Sequence, residues 1–165
     1  MAKSHVTDRD RGYAALRARI AKAAAGAHVS VGVLGPDASA PHKAEDGEKS
    51  SGITIGEIGE IHEFGLGNNP VRSWLRGYVD VNRTQIAAKI RKVAEGVEQG
   101  TLTVEKGLDL LGLSIVGGIQ KRISAGIAPT VTAATQARKG PDKTTALINS
   151  GQFRSSIKHI VEGGA

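Results

Sequence analysis

The sequence predicts a single α+β domain over residues 1–165, in which a small antiparallel β-sheet packs with an N-terminal helix and a long helical hairpin. Three observations carry this prediction. Apolar residues recur at helical spacing in three long segments. Two short apolar-rich segments, one near each end of the chain, suit strands. Two polar stretches, 36–52 and 126–145, lack periodicity and read as long mobile loops, because they have too few bulky apolar side chains to offset the entropy of ordering.

From Asp10 to Ala25, Tyr13, Leu16, Ile20 and Ala24 form an apolar stripe between Arg and Lys residues, an amphipathic helix ending near Gly26. His28 to Leu34 alternates, with Val29, Val31 and Val33 on one side, and closes at Gly35-Pro36. Thr54-Ile55-Gly56-Glu57 has capping-box spacing, so a short helix carrying Ile55, Ile58 and Ile61 starts there and stops at Phe64-Gly65. Asn69-Pro70 then imposes a turn or extended backbone.

From Ser73 to Glu98 the residues Val79, Ile86 and Val93, interleaved with Ile90 and Val97, give a narrow heptad-like seam on a long helix. Trp74, Tyr78 and Val81 fall on a second stripe, read as core. Gly100-Thr101 breaks the helix, and Val104, Leu108, Leu111, Ile115, Ile119 and Ile123 mark a partner running back against it to Ser124. Gly112, Gly117 and Gly118 weaken that second helix, which predicts close backbone packing at their positions. Thr132 to Lys139 has room for a short helix inside the second loop. Asn149 or Ser150 is placed to cap a helical turn, and Ser156 to Val161 reads as the strand that pairs with Val29 to Leu34.

Composition narrows the function. There is no cysteine, which excludes disulfides, thiolate catalysis and Cys-based zinc sites. No run of about 18 apolar residues exists and the first ten residues are charged, so neither a membrane span nor an export signal is expected. The net charge of +6 is uneven: residues 1–26 hold six basic and two acidic groups, 37–63 two and seven, and 64–165 fourteen and seven. A basic–acidic–basic layout suits oriented docking between protein copies at least as well as it suits nucleic acid, which calls for one continuous basic face.

The chemical motifs fail one by one. His62-Glu63 begins a zinc-protease helix motif, but position 66 is Leu66, where a second histidine is required. Glu57, Glu60 and Glu63 recur every three residues as a solvated acidic face, and neither a nucleophile elbow nor a phosphate loop is present. No catalytic residue, cofactor or metal site is expected. Arg138, Lys139 and Lys143, in a basic loop, suit contact with DNA or an acidic partner.

Two segments together resemble a known family. Ile61-His62-Glu63-Phe64-Gly65, followed by Asn69-Pro70-Val71-Arg72-Ser73-Trp74-Leu75-Arg76, is similar to the Ile-His-Glu-Phe-Gly and Ile-Pro-x-Arg-Pro-Phe-Leu-Arg series of a neck and tail-completion family in long-tailed double-stranded DNA phages. Ala128-Pro129-Thr130 through Thr135, Ala137-Arg138-Lys139-Gly140, and Leu147-Ile148-Asn149-Ser150-Gly151-Gln152-Phe153-Arg154-Ser155-Ser156-Ile157 resemble its later motifs. Ser73 replaces a family Pro, Trp74 a Phe, and Asn149-Ser150 an Asp-Thr pair. The resemblance implies a non-enzymatic virion protein, made in the host cytoplasm. It would assemble with copies of itself as a ring at the head-to-tail junction, against tail terminator or tail tube on one side and head-completion or connector proteins on the other. The interface candidates are Arg72, Trp74, Arg76, Arg138, Lys139, Lys143 and Arg154. The rival expectation is a basic nucleic-acid-binding protein.

Overall fold

A computed structural model describes residues 12–43, 52–139, 145–148 and 151–163. The elements run α1 (Tyr13–Ala24), β1 (His28–Val33), α2 (Pro36–Ser39), α3 (Ile55–Phe64), α4 (Arg76–Glu98), α5 (Val104–Ala125), α6 (Ala133–Lys139), α7 (Gln152–Ser155) and β2 (Ile157–Glu162). The fold is α+β: β1 and β2 pair antiparallel from His28 opposite Glu162 to Val33 opposite Ile157, and helices supply the rest.

Local chemistry sets the boundaries. Thr54 Oγ1 accepts the Glu57 N–H at 3.2 Å while Glu57 Oε2 accepts the Thr54 N–H at 2.7 Å, the reciprocal capping box expected at the start of α3. Gly65, with φ 69°, ends α3 in the left-handed region, where a side chain would be strained. Thr103 Oγ1 caps α5 by accepting the Lys106 N–H at 3.2 Å. The asparagine and serine expected to cap α7 lie outside the described residues, and Gly151 occupies its N-cap position.

The core lies where α5, α3 and the sheet meet. Ile55, Trp74, Ile119, Ile123, Ile127, Phe153 and Ile157 form one buried cluster, with Val31, Val33 and Tyr78 packed against it. Each fully buried isoleucine contributes about 2 kcal/mol through removal of apolar surface from water. Gly112 and Gly118 on α5 answer the expectation of close packing, since a β-carbon would collide with His159 of β2 at the first and with Tyr78 of α4 at the second. Gly117 faces open space.

Two expectations need correction. The stripe from Trp74 to Val81 is not continuous core: Trp74 is buried, but Val81 is 75% exposed because α4 turns it away from α5. The α4 seam is likewise only partly covered, with Val97 its buried residue. The described parts of both excursions make defined contacts with the rest of the fold. Pro41 bridges Thr54, the Ile55 N–H donates to Ala40 O at 3.0 Å, and Gln152 reaches back to Pro41 O at 3.1 Å. In the second excursion Ile127 is buried and α6 forms as the short helix the sequence has room for, while Ala146, just beyond it, is also buried. Hydrogen bonds to backbone groups, which carry no signature in side-chain composition, hold these segments alongside the burial of Ile127. Residues 44–51 and 140–144 lie outside the described residues.

Candidate functional site

The turn between α3 and α4 is a polar hub. Glu63, in the last turn of α3, is buried, and its carboxylate accepts the Leu75 N–H at 2.9 Å, the Arg76 N–H at 3.1 Å, the Ser73 hydroxyl at 2.7 Å and the Arg76 Nε–H at 2.8 Å. Ser73 Oγ accepts the Gly77 N–H at 2.9 Å. A carboxylate from one helix thus satisfies the orphan donors at the start of the next, close to the positive end of that helix's dipole. Burial pushes the Glu63 carboxyl upward, but the four hydrogen bonds outweigh it and hold the group below its ordinary range.

Arg72 points inward, 5% exposed. Its Nε donates to Pro129 O at 2.6 Å and its Nη2 to Thr130 O at 3.1 Å, so one guanidinium ties the second excursion to the turn. Its Nη1 stands 3.4 Å from His62 Nδ1, and its backbone N–H donates to His62 O at 2.7 Å, which makes His62 part of the same joint. Burial lowers the Arg72 pKa, yet a guanidinium stays protonated at neutral pH. Trp74 crosses Phe153 edge-on, centroids 5.1 Å apart, and donates Nε1–H to Gly59 O at 2.9 Å. Gly59 permits that approach, because a β-carbon there would press on both rings.

Arg72 and Trp74 are therefore corrected as surface contact residues: both are spent inside the subunit. Arg76 does reach the surface, with its guanidinium 4.7 Å from the centre of the exposed Phe64 ring. Arg154 is exposed and donates to Ser124 Oγ at 2.8 Å. Arg138 and Lys139 occupy the last turn of α6, and Lys143 lies outside the described residues. Among the described residues, no three His, Cys, Asp or Glu side chains stand together as metal ligands, and no helix is long and apolar enough to cross a membrane.

Two surface features went unread in the sequence. Phe64, Leu66 and Val71 cluster around Gly65 as an exposed apolar knob, beside the outward Glu57 and Glu60 of α3. On the hairpin, Ile20 of α1, Ile90, Val93 and Val97 of α4, and Val104 and Leu108 of α5 line an apolar groove of about 400 Å³. The signal for the groove lies in the α1 stripe and the α4 seam, which are each apolar, and Ile20 and Ile90 stay exposed among the described residues. Searches against protein-family models, curated proteins and solved structures return no match to this chain.

Proposed function

We propose that this chain is a structural subunit of a phage head-to-tail junction, a neck or tail-completion protein that assembles with its own copies as a ring and helps join tail to head. The observation that carries this reading is the amount of apolar surface the lone subunit leaves in water. Ile20, Phe64, Leu66, Val71, Val81, Ile90, Leu110 and Leu113 are all exposed, distributed over α1, the α3–α4 turn and the hairpin. Apolar surface spread over several faces is what a subunit needs when each neighbour covers a different one.

The segment that carries the family resemblance supports the same reading in a second way. Its polar groups are consumed by each other: Glu63 by Ser73, Leu75 and Arg76, and Arg72 by two carbonyl oxygens. Such a turn is a rigid joint between α3 and α4, suited to holding assembly surfaces at a fixed angle. In this reading the protein is made in the host cytoplasm and ends in the virion. Its further partners are tail terminator or tail tube proteins and head-completion or connector proteins.

Sedimentation velocity across a concentration series, with electron microscopy of the heaviest species, tests the proposal. Closed rings of uniform size are expected. A chain that stays monomeric throughout, yet binds duplex DNA with an affinity falling steeply as salt rises, would establish the nucleic-acid-binding alternative instead.

A further inference from the structure

We infer that copies of this chain meet through a lysine-lined recess between α4 and α5, which takes the acidic and apolar stripe on α3 of a neighbouring copy; this rests on the ring reading above and assigns its contact surfaces. Lys89 and Lys92 of α4 line a recess of about 300 Å³ together with Leu102 of the connecting turn and Leu110 and Leu111 of α5. Among the described residues no acidic side chain lines it. Leu110 is 44% exposed and Leu113, three residues on, is 53% exposed, so uncovered apolar surface accompanies the positive charge.

The charge of the recess is not cancelled from within the subunit. Lys89 donates to the Ser114 hydroxyl, a neutral group, and Lys92 has no hydrogen-bond or ion-pair partner among the described residues. Two acids stand at its margin. Asp109 precedes Leu110, but its carboxylate is taken by Lys106 at 3.1 Å and by His159 at 2.9 Å. Glu95 comes six residues after Lys89, which puts it about 120° round α4 from that lysine, and it does not line the recess.

The α3 helix carries the complement. Glu57, Glu60 and Phe64 are all exposed and follow one another by three and four residues, so they share one stripe. Glu60 has no hydrogen-bond or ion-pair partner among the described residues, and the partners of Glu57 are the neutral N–H and hydroxyl of Thr54. Arg76 lies 4.7 Å from the centre of the Phe64 ring, but it is paired with Glu63 at 2.8 Å, so the uncompensated charges of the stripe are both negative. A cavity of about 150 Å³ holds benzene, so the recess has room for the Phe64 ring between its leucines. Glu60 stands about 6 Å along α3 from Phe64, which brings it to the lysines once the ring is seated. A phosphate backbone would answer the lysines and leave Leu110 and Leu113 in water, whereas this stripe answers both, with charge for orientation and apolar burial for hold.

Charge exchange tests the contact. Lys92→Glu and Glu60→Lys are made singly and together in one chain; both replace exposed side chains, and circular dichroism checks that each variant folds. In sedimentation velocity each single variant is expected to raise the dissociation constant of self-association by at least about tenfold, because like charges then face each other. The chain carrying both substitutions should return to within about threefold of the wild type, its pair restored with the signs exchanged. If that chain fails to fold, an equimolar mixture of the two single variants replaces it, since each offers the other a pair of opposite charges and assembly should recover on mixing. Single variants that assemble like the wild type overturn the contact and leave the ring reading standing. Weakened single variants with no recovery when combined also overturn it, and hand the recess to a different acidic partner. A wild-type chain that is monomeric at every concentration removes the ring reading and this contact together.

Discussion

Glu63 and Arg72 carry charges into the interior, and each is held by several hydrogen bonds, so removing either breaks several bonds at once. Arg72→Ala would remove the side-chain donors to Pro129 O and Thr130 O; the expected loss is about 1.5–3 kcal/mol in urea unfolding, the worth of hydrogen bonds made by a charged group. Arg72→Lys should recover only part of it, because an ammonium lacks the planar fork that meets two carbonyls at once. An unchanged urea midpoint for Arg72→Ala would return this residue to the list of surface contacts. Glu63 adds a pH signature. Its folded pKa is depressed, so its contribution is present above the ordinary carboxyl range and lost as pH falls through the folded value. Glu63→Gln should therefore be less stable than wild type at pH 7, and the gap should narrow below about pH 4, where the unfolded carboxyl is also protonated. A gap that stays constant across that range would assign the effect to shape instead of charge.

At the scale of elements, α5 offers a contrast between two of its glycines. Gly117→Ala adds a methyl group into open space and improves helix propensity, so stability should rise by up to about 1 kcal/mol. Gly112→Ala gains the same propensity but drives a β-carbon into His159, which Asp109 fixes at 2.9 Å, and should be net destabilising. Thermal unfolding of the two variants checks the sign of each, and equal shifts would mean that His159 yields freely. The helix α5 was legible in the sequence, as were β1, β2 and the Thr54–Glu57 capping box, because each rests on local pattern: periodicity, alternation or a fixed spacing of side chains. The hub was not. Glu63 lies on what reads as a solvated acidic face with Glu57 and Glu60, and only the return of the chain through Gly65 and Asn69-Pro70 brings Ser73, Leu75 and Arg76 over it. Arg72 escaped for the same reason, since its partners are backbone carbonyls 57 and 58 residues away. Val81 shows the opposite failure, a periodic apolar position that no other described element covers.

At the scale of the whole molecule, a basic chain with exposed apolar side chains has two ways to associate, and they respond differently to salt. Binding to nucleic acid releases condensed counterions and weakens with any salt. Self-assembly that covers the subunit's exposed apolar side chains is driven by apolar burial, so sulfate, which strengthens that burial, should favour the assembled state. Assembly also couples to folding. A neighbour binds the folded subunit and not the unfolded chain, so the midpoint of thermal unfolding should rise with protein concentration. The rise should be larger in sulfate than in chloride at equal ionic strength, and it should vanish in Leu110→Asp, which puts a carboxylate into the recess between α4 and α5 while substituting a side chain already 44% exposed. Differential scanning calorimetry over a hundredfold concentration range measures all three. A midpoint independent of concentration in the wild type would mean that the apolar surface is not covered by copies of the chain. A midpoint that rises equally in Leu110→Asp would keep self-assembly and move the contact away from the recess.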